Sequence, residues 1–523
     1  MTSTHVIHEI KPVYDKNSRV LLLGTMPSPK SRETGFFYGH PQNRFWKVLA
    51  TLFDEPIPET IEEKCDLCLR HRIALWDVLS SCDIEGASDA SIKNAKPNDL
   101  AQILNAAPVQ AVFTTGTKAG QLYKKLCEPV TSIPCTVLPS TSPANSRVSL
   151  AELCATYKQA LSPYVEFDPK YPVLDVPEVV RLEQSIASSG TSLYTLMHRA
   201  GRFLAYEAKK YLEQESDYRG PECIRTKNGE PEWSETNHNE PEHGKTASGQ
   251  NQFRAITSNQ LHITTPNQLH TATPTQLYVS ILCGHGNNGG DGWVVADYLA
   301  KAGYHVDLIS SVSAQEIKAE PAHTTACEIE HGIKCEIEHE TEYRVERETE
   351  CKIEYKVEHE AEHKTKQIIE REGKYKAERK ITASPKNNQT IHLLINPTNE
   401  EVEASLSKAD LIIDAILGTG FSGDTVREPF ATWIELANQQ KVREKAHEKI
   451  RDTEHLACST HNARIIAADV ASGFSAQTGT AAKPCIRADH TVTMITLKTG
   501  LVQPNAKTYC GTIRVAPLAD FDL

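Results

Sequence analysis

The sequence predicts an α/β protein made of two three-layer αβα domains. At 523 residues the chain is too long to fold around one hydrophobic core. Apolar runs of strand length alternate with segments of helical periodicity over residues 19–163, and the same alternation resumes at residue 278. Between the two stretches, residues 166–175 have the composition of a linker. We therefore place one domain at residues 1–165 and a second at residues 170–523.

In the first domain, three apolar runs predict buried parallel strands: RVLLLG at 19–24, AVFTTG at 111–116 and CTVLPS at 135–140. Residues 43–53 and 152–161 have the apolar spacing of helices. We also predict a helical segment over residues 62–78. The alternation of these elements is typical of a small α/β sandwich.

Fourteen cysteines are scattered along the chain, as expected of free thiols in a reducing cytoplasm. The tight pair Cys65 and Cys68 has no second pair to complete a metal site, so we interpret it as helix packing. The first residues lack the pattern of a signal peptide, and no apolar run approaches the roughly 20 residues of a membrane helix. We therefore expect a cytoplasmic protein without membrane contact.

The second domain begins with two helical segments, 176–190 and 193–212. A strand, YVSILC, then leads into a polar loop, GNNGGDG, and into the helix DGWVVADYLAKAG, which ends near Gly303. The next strand is YHVDLIS. This order predicts a βαβ unit with a ligand-binding loop.

Three segments of the second domain are too polar or repetitive to form a core, and we predict flexible insertions at 215–275, 313–390 and 439–461. The second contains an eight-residue repeat from Cys327 to Lys366. Low-complexity sequence is the favoured interpretation of this repeat. A metal site remains an alternative, on cysteines together with His331, His339, His359 and His363.

The two domains differ in charge. Residues 1–163 carry 17 basic and 16 acidic side chains, whereas the other 360 residues carry 39 and 52. An acidic second domain is a poor surface for nucleic acid, while a neutral first domain can bind a polyanion through a local basic patch.

Four loops of the second domain follow apolar strands and carry glycine or acidic residues: GNNGGDG, GTGFSGD, DVASG and LKTG. In a parallel sheet they gather at the carboxyl ends of the strands, where ligands of α/β proteins bind. The spacing Gly284-x-Gly286-x-x-Gly289 fits a dinucleotide-binding loop, but Asp307 lies in mid-strand, where it cannot hold a cofactor ribose. The amides, the carboxylate and the exposed backbone N–H groups of NNGGD can instead hold both a phosphate and a hard cation, the cation through oxygen ligands.

In this order, CGHGNNGGDGWVVADYL, DAILGTGFSGD, DVASG and ADHTVTMITLKTG resemble the NAD(P)H-hydrate epimerase family, over residues 172–523 outside the insertions. The resemblance implies a Rossmann-like domain that interconverts the R and S epimers of hydrated NADH and NADPH, called NADHX and NADPHX. It also implies one potassium ion (K+) on Asn288, Asp414 and Ser472. A separate NAD(P)HX dehydratase is expected downstream, and a homodimer through this domain is left open.

The same resemblance makes Asp469 the acid–base group, with Lys498 beside it. Its implied substrate-binding residues are Asn287, Asn288, Gly289, Gly290, Asp291, Gly418, Thr419, Gly420, Phe421, Ser422, Gly423, Asp424, Asp469 and Lys498. The alternative is that Asp414 and Asp469 only cap the turns that follow them. Two sites depart from the family, since Ala471 replaces a proline and His198-Arg199 replace Glu-Asn.

In the first domain, the loops GTMPSPKS and LPSTSPAN carry hydroxyl groups and backbone amides that can contact a DNA backbone. Aromatic rings on which an extruded base could stack are Phe36, Phe37, Tyr38 and His40. Positive charge nearby comes from Lys30, Arg32 and Arg44. We expect Phe45 and Trp46 to lie in the core.

Residues 17–163 resemble the hypoxanthine (deoxyinosine) DNA glycosylase branch of the uracil-DNA glycosylase superfamily, through GTMPSPKSRETGFFYGHPQNRFW, IALWDVL, GASDASI and LPSTSPAN. The resemblance implies a uracil-DNA-glycosylase-like sandwich that excises hypoxanthine from damaged DNA without a cofactor. Asn43 would be its catalytic amide, positioning water and supporting the cationic sugar. Met26 and Leu138 replace polar residues of uracil-specific relatives, so strong uracil excision is not expected.

The residues expected to bind DNA are Gly24, Ser28, Tyr38, His40, Ser140, Ser142 and Asn145. No lysine stands in motif position for a Schiff base, so a glycosylase without strand cleavage is expected. Two other interpretations remain open. The second domain could be a non-catalytic nucleotide- or protein-binding module attached to an active glycosylase. Both domains could instead be NAD-dependent oxidoreductases, against which the missing ribose-binding acid argues.

Overall fold

The computed structural model describes residues 4–167, 170–218, 224–225, 231–232, 277–333, 391–447 and 463–518. Most of the three predicted insertions lie outside these residues, as does the eight-residue repeat beyond residue 333, including His339, His359 and His363. In the described part of the chain, no helix has the length and apolarity needed to cross a membrane.

A parallel sheet forms the centre of the first domain. The strands of this domain are β1 (Thr4–Ile7), β2 (Val20–Gly24), β3 (Ile73–Asp77), β4 (Leu79–Ile84), β5 (Lys93–Pro97), β6 (Ala111–Thr115) and β7 (Cys135–Leu138). Its helices are α1 (Pro29–Thr34), α2 (Phe45–Phe53), α3 (Ile61–Arg70), α4 (Ala101–Leu104), α5 (Thr117–Leu126), α6 (Glu128–Thr131) and α7 (Leu150–Leu161), with a 3-10 turn at Asp89–Ser91. The parallel sheet has the order β3-β2-β6-β7, and β1, β4 and β5 form a small antiparallel sheet.

The predicted strands of this domain are confirmed, but the helical prediction over residues 62–78 is wrong in its second half. Helix α3 ends at Arg70, and IALWD forms β3, which is buried along its whole length. A continuous apolar run suits a strand that is covered on both faces of a parallel sheet, and such a run has no periodicity to separate it from a helix. Cys68 lies on the buried face of α3, in agreement with the interpretation as helix packing.

The second domain is built around a parallel sheet of the order β13-β12-β11-β14-β15-β16-β18. Its strands are β8 (Val173–Leu174), β9 (Ile224–Arg225), β10 (Pro231–Glu232), β11 (Tyr278–Cys283), β12 (His305–Ser310), β13 (Ile391–Ile395), β14 (Leu411–Ala415), β15 (Arg464–Ala468), β16 (His490–Met494), β17 (Leu497–Lys498) and β18 (Thr512–Ala516). Its helices are α8 (Val176–Ser188), α9 (Leu193–Tyr218), α10 (Asn287–Lys301), α11 (322–333), α12 (Asn399–Lys408), α13 (Phe430–His447) and α14 (Ala506–Cys510), with 3-10 turns at Ala314–Glu316 and Thr499–Val502.

The direction in which strands are added reverses between β11 and β14, which is where a Rossmann-like sheet opens a crevice for its ligand. One hydrophobic core joins α9 and α10 to the sheet, with Trp293 fully buried. A second core joins α12 and α13 to the sheet and contains Trp433. Helices thus cover the sheet in the three-layer arrangement that the sequence predicts.

Several elements differ from the sequence-based description of this domain. The predicted insertions 439–461 and 215–275 both start too early, because α13 continues to His447 with Gln440 buried and α9 continues to Tyr218. The polar motif NNGGDG is not a loop, because α10 begins at Asn287 directly after Gly286. In the predicted insertion 313–390, helix α11 forms at 322–333 and buries Ala322 and Ala326 in the core. Only a few small residues of α11 cover this core, and highly charged sequence follows them. The sequence pattern therefore does not reveal the helix.

The linker contacts both domains. The ring of Phe167 stacks on Phe53 of the first domain, with ring centroids 5.2 Å apart. Six residues after Phe167, Val173 and Leu174 pair in parallel with Leu497 and Lys498 of the second domain. The segment that joins the two domains is therefore short.

Candidate active sites

The first candidate site lies at the carboxyl edge of the parallel sheet in the first domain, where Gly24, Asp77 and Thr115 end their strands side by side. The hydroxyl oxygen of Tyr38 lies 2.9 Å from Oγ1 of Thr115, and its ring stacks on Phe45 at a centroid distance of 3.8 Å. Burial, together with the nearby Asp77 carboxylate, raises the pKa of Tyr38 well above its usual range. Tyr38 therefore presents a fixed, uncharged aromatic ring at one side of the site.

Asn43 lies two residues before the first residue of α2, and the fold fixes its side-chain amide. Its Oδ1 accepts hydrogen bonds from the backbone N–H of Phe45 at 3.0 Å and from Oγ1 of Thr141 at 2.9 Å. A backbone N–H requires an acceptor, so the oxygen of the amide must face it. The Nδ2 group is then the side of the amide that is available to a base or a water molecule. Oδ1 already accepts two hydrogen bonds. Asn43 is therefore better placed to bind water or a base through Nδ2 than to support a cationic sugar through Oδ1.

Arg44, directly after the segment HPQN at His40–Asn43, binds the predicted DNA-contacting loop LPSTSPAN. Its backbone N–H donates to the carbonyl of Thr141 at 3.1 Å. Its guanidinium donates to the carbonyl oxygens of Val148 and Asn145, the latter at 2.8 Å. Arg44 therefore holds the loop that contains Asn145 against the HPQN segment, and its role is to fix loop geometry.

The remaining DNA-binding candidates occupy different environments. Ser28 caps α1 by accepting from the N–H of Ser31 at 3.2 Å. Ser140 Oγ accepts from the N–H of Ser142 at 3.2 Å, and Asn145 Nδ2 donates to the carbonyl of Ser140 at 2.8 Å, so these side chains shape their own loop. His40 is exposed.

Phe36 and Phe37 cannot stack on an extruded base, contrary to expectation. They are 6% and 2% exposed and lie in the core with Phe45 and Trp46, whose burial was predicted. Of the aromatic residues proposed for stacking, Tyr38 and His40 are the two that reach the surface of the site. The continuous aromatic run FFY gives no periodicity by which its core and site residues could be told apart.

Sequence reasoning missed Asp77 as a site residue. The position that a Cβ atom on Gly24 would take is 2.1 Å from Oδ1 of Asp77, so only glycine fits there. The other carboxylate oxygen lies 2.9 Å from Nε2 of His8, and both side chains are buried. An acidic residue directly after the apolar run IALW was the signal, since it shares a sheet edge with Gly24.

The second candidate site lies in the crevice between β11 and β14. The N–H of Gly284 donates to the carbonyl of Ala415 at 3.0 Å, and a Cβ on Gly284 would come within 1.9 Å of the Ile416 carbonyl oxygen. A Cβ on Gly289 would approach the carbonyl oxygen of Gly284 equally closely. These glycines allow the N-terminus of α10, with its free N–H groups, to lie directly against the end of β14.

Asn288, Asp414 and Ser472 surround one end of this crevice. Ser472 is fully buried; its hydroxyl donates to Oδ1 of Asp414 at 2.5 Å, and its N–H donates to Oδ2 at 2.8 Å. Burial raises the pKa of Asp414 to about 6, against hydrogen bonds from Ser472 that lower it. Asn288 is 7% exposed, and both polar atoms of its side chain lack a hydrogen-bond partner within the described residues.

An unpartnered buried amide is costly, by about 1–3 kcal/mol, unless something not in the protein binds it. A Cβ on Gly418 would lie 3.1 Å from Cβ of Asn288, so the loop after β14 covers this amide. Oxygen atoms of an amide, a carboxylate and a hydroxyl are the donor set of a hard cation. The residues therefore fit a cation site. Among the described residues, no group of three or more acidic, histidine or cysteine side chains could hold a metal ion.

The loop Gly418–Asp424 follows β14 and is exposed from Ser422 to Asp424. Gly420 has open space around its Cα, whereas Gly418 faces Asn288. The carbonyl of Asp424 accepts from the N–H of Lys483 at 3.0 Å, which anchors the far end of the loop. The middle of the loop is thus exposed at the mouth of the crevice.

Asp469 and Lys498 form a buried ion pair across the end of β15. Nζ of Lys498 lies 2.6 Å from Oδ1 of Asp469 and also donates to Oγ1 of Thr493 at 2.9 Å and to the Met494 carbonyl at 2.7 Å. Asp469 has a left-handed backbone with φ of 63°, a conformation that few non-glycine residues adopt. Strained backbone of this kind concentrates at functional sites.

Two further carboxyl groups face this ion pair. Burial raises the pKa of Asp291 well above its usual range, and the Asp469 and Glu183 carboxylates raise it further. Burial and Asp469 likewise raise the pKa of Glu183, on α8, while Lys498 opposes the shift. Asp291 was predicted as a substrate-binding residue, but Glu183 was not predicted. Its helix is amphipathic, and the sequence gives no sign of which of its glutamates faces the crevice.

The two departures from the family have clear structural consequences. Ala471 is fully buried, and its N–H, which a proline would lack, bonds Cys510 and lowers the pKa of that thiol against the effect of burial. Arg199 donates to the Leu518 carbonyl at 3.0 Å and pairs with Asp66 of the first domain. His198 stacks near Tyr194, with ring centroids 4.4 Å apart.

Comparison with known proteins assigns both halves. The sequence signature of the uracil DNA glycosylase superfamily matches residues 11–162. A hypoxanthine DNA glycosylase of Methanosarcina acetivorans is 34% identical over 139 residues, which cover 26% of this chain and 87% of the relative. The signature of the YjeF-related protein N-terminus matches residues 246–358 and 357–500. The chain joins a member of the uracil DNA glycosylase superfamily to a YjeF-related domain.

The YjeF-related domain has relatives of two kinds. An NAD(P)H-hydrate epimerase of Pirellula staleyi is 26% identical over 237 residues, which cover 45% of this chain and 70% of the relative. A bifunctional NAD(P)H-hydrate repair enzyme of Escherichia coli is 27% identical over 233 residues, but the match covers only 29% of that enzyme. The YjeF-related domain thus corresponds to one part of the bifunctional enzyme. Both the predicted α/β fold and the predicted fusion are confirmed.

Proposed function

We propose that the chain carries two repair activities: excision of hypoxanthine from DNA by the glycosylase-superfamily domain, and interconversion of the R and S epimers of NADHX and NADPHX by the YjeF-related domain. The observation that carries the second proposal is the group of ionisable side chains around Asp469 at the crevice. The observation that carries the first is the amide of Asn43, which is fixed by hydrogen bonds to Phe45 and to Thr141 of the predicted DNA loop LPSTSPAN.

In the YjeF-related domain, two carboxyl groups lie in different environments, one of which suits a general acid and the other a general base. Burial favours the protonated form of Asp291, which makes it suitable as a proton donor. Asp469 holds an ammonium group 2.6 Å away, which suits a proton acceptor. Neighbouring titratable groups whose environments differ in this way are typical of acid–base sites.

The proposed reaction breaks and reforms one carbon–oxygen bond at the hydroxylated ring carbon. Asp291 gives its proton to the hydroxyl, which leaves as water while the adjacent ring nitrogen supports the positive charge. Water then adds to the opposite face and gives a proton to Asp469. Exchange with solvent returns the proton to Asp291, so the reaction needs no oxidant or reductant.

A potassium ion is proposed at Asn288, Asp414 and Ser472, where the unpartnered amide of Asn288 supports a cation. When bound, the ion would fix the loop and neutralise part of the substrate phosphate charge. The N-terminus of α10 and the loop Gly418–Asp424 would hold the pyrophosphate. The dehydratase step is assigned to a separate enzyme, and a cytoplasmic location is proposed.

In the glycosylase-superfamily domain, Tyr38 is proposed to stack on the extruded base while Nδ2 of Asn43 binds the base or the attacking water. Met26 is 9% exposed and carries no group that can activate water, in keeping with weak uracil excision. Hypoxanthine release without strand cleavage is the expected outcome.

The test uses the full chain on both substrate classes. We expect release of hypoxanthine from a deoxyinosine oligonucleotide to be much faster than release of uracil from a matched oligonucleotide. We also expect accelerated exchange between purified R- and S-NADHX, without oxidation of NADH. If NADHX binds and its epimers do not exchange, the second domain is a binding module and the proposal for it is wrong.

A further inference from the structure

The two domains meet at a contact whose described interdomain ion pairs all have the same polarity. Acidic side chains come from the glycosylase-superfamily domain, and basic side chains come from the YjeF-related domain. We call these eight residues the interdomain charge cluster; they are Asp54, Glu59, Glu63, Asp66, Arg199, Arg202, Lys210 and Arg514. Complementary charge of this kind fixes the partner and its orientation.

Asp54 is the most connected acid of the cluster. It ends α2 in a left-handed conformation with φ of 54°, which turns its side chain out of the domain. Nη1 of Arg514 lies 2.5 Å from Oδ2, and Nζ of Lys210 lies 3.0 Å from both oxygens. The hydroxyl of Tyr206 donates to Oδ1 at 2.8 Å. Groups from α9 and from β18 therefore bind one carboxylate together.

The basic partners are positioned by their own domain. Glu207 of α9 is 8% exposed and holds Nη1 of Arg514 at 2.5 Å. The guanidinium of Arg514 also lies over the ring of Phe203, 4.9 Å from its centroid. An arginine held in this way loses little further freedom when it binds a partner carboxylate.

The centre of the contact combines apolar side chains with charged ones, among them the buried Arg202. Arg202 is 8% exposed; it pairs with Glu63, donates to the Ile57 carbonyl and lies 3.3 Å from Oε1 of Glu59. Leu67, Phe203 and Leu518 are each at most 4% exposed and line a common cavity of about 50 Å³. Aromatic side chains and arginines are enriched at specific protein–protein interfaces.

We propose that this contact is a permanent docking surface between the two domains, strong enough to hold them together when the linker is cut. The linker supports docking by keeping the partners close, since Phe167 and Val173 are anchored on opposite sides. The covered face of α9 is then unavailable to a second copy of the chain. A homodimer of this protein must use another surface.

The contact also reaches the crevice of the YjeF-related domain. Beside Arg202, Gly201 packs so closely on Val294 of α10 that a Cβ would come within 2.4 Å of it, and Met197 contacts Gly290. Docking therefore holds the helix that supports the N-terminus of α10. The observations behind this proposal are independent of either proposed activity.

The test introduces a specific protease site at residues 168–171 of the full chain and follows the cut protein by size-exclusion chromatography with light scattering. The two halves should co-elute at low salt and separate at about 1 M salt, because screening weakens the ion pairs. Asp66→Lys should weaken association at least about tenfold, and the double variant Asp66→Lys/Arg199→Glu should restore most of it. Glu33→Lys, which reverses an exposed acid away from the contact, should have no effect.

Small-angle scattering of the uncut chain is the second measurement. We expect one compact particle for the wild type and an expanded one for Asp54→Lys/Asp66→Lys, with unchanged circular dichroism. Separation of the cut wild-type halves at low salt would overturn the proposal. So would an uncut wild type as expanded as the double variant.

Discussion

Nζ of Lys498 lies 2.6 Å from Oδ1 of Asp469, and the lysine exposes only 1% of its surface. Removing one member of a buried ion pair leaves the other uncompensated, at a cost of about 3–5 kcal/mol. Three carboxyl groups, those of Glu183, Asp291 and Asp469, share this one ammonium group. The pair is therefore the electrostatic centre of the crevice.

Lys498→Met should lower the rate of NADHX epimer exchange by about a hundredfold, because Asp469 loses its cation in a buried site. Substrate affinity, followed by calorimetry, should fall much less than the rate. The matched control is Lys408→Met, which removes an exposed lysine paired with Asp307 on the far side of the sheet. Equal rates for wild type and Lys498→Met would remove this residue from the chemistry.

Asn288→Ala should abolish the effect of potassium on the N-terminus of α10. In wild-type protein, potassium should slow hydrogen exchange of peptides covering residues 284–292 relative to tetramethylammonium, because the ion ties the loop to the helix. Asn287→Ala is the control, since this neighbouring amide is exposed. Potassium protection that persists in Asn288→Ala would place the ion elsewhere.

Thr141→Val should slow hypoxanthine excision by about tenfold, since Asn43 loses one of the two hydrogen bonds that fix its amide. Thr141 is 1% exposed, so the methyl group of valine fits the same space. Thr51→Val, an exposed threonine on α2, should excise at the wild-type rate. Single-turnover assays at saturating enzyme separate this loss from weaker DNA binding.

Glu55→Gln should reduce the loss of unfolding free energy that the glycosylase-superfamily domain suffers at acidic pH. Burial alone would raise the pKa of Glu55, but Arg70 and His71 outweigh it and lower the pKa to about 2. A depressed carboxyl pKa stabilises the fold above the unfolded value near 4.5, and this contribution of about 3 kcal/mol is lost as the pH falls toward 2. Urea unfolding between pH 5 and pH 2 measures it, with Glu33→Gln as an exposed control. Parallel pH curves for Glu55→Gln and wild type would contradict the assignment.

The sequence predicts those elements that depend on a local pattern of residues. The strands of both sheets are continuous apolar runs, and the loops after them carry the glycines and carboxylates that a sheet edge brings together. Asp77 and Glu183 were missed because their roles depend on packing between distant segments, His8 on Asp77 and α8 on the crevice. Phe36 and Phe37 were misassigned for a related reason. Composition indicates an aromatic surface, but only the turn at Tyr38, with its positive φ of 52°, decides which ring faces the site.

The most direct test of the account measures both activities in the same preparations of wild type, Asn43→Ala and Asp469→Asn full-length chains. The account predicts a reciprocal result. Asn43→Ala should lose hypoxanthine excision by about a hundredfold or more and exchange NADHX epimers normally, whereas Asp469→Asn should lose epimer exchange and excise hypoxanthine normally. Normal epimer exchange by Asp469→Asn, or normal excision by Asn43→Ala, would contradict the assignment of the corresponding site.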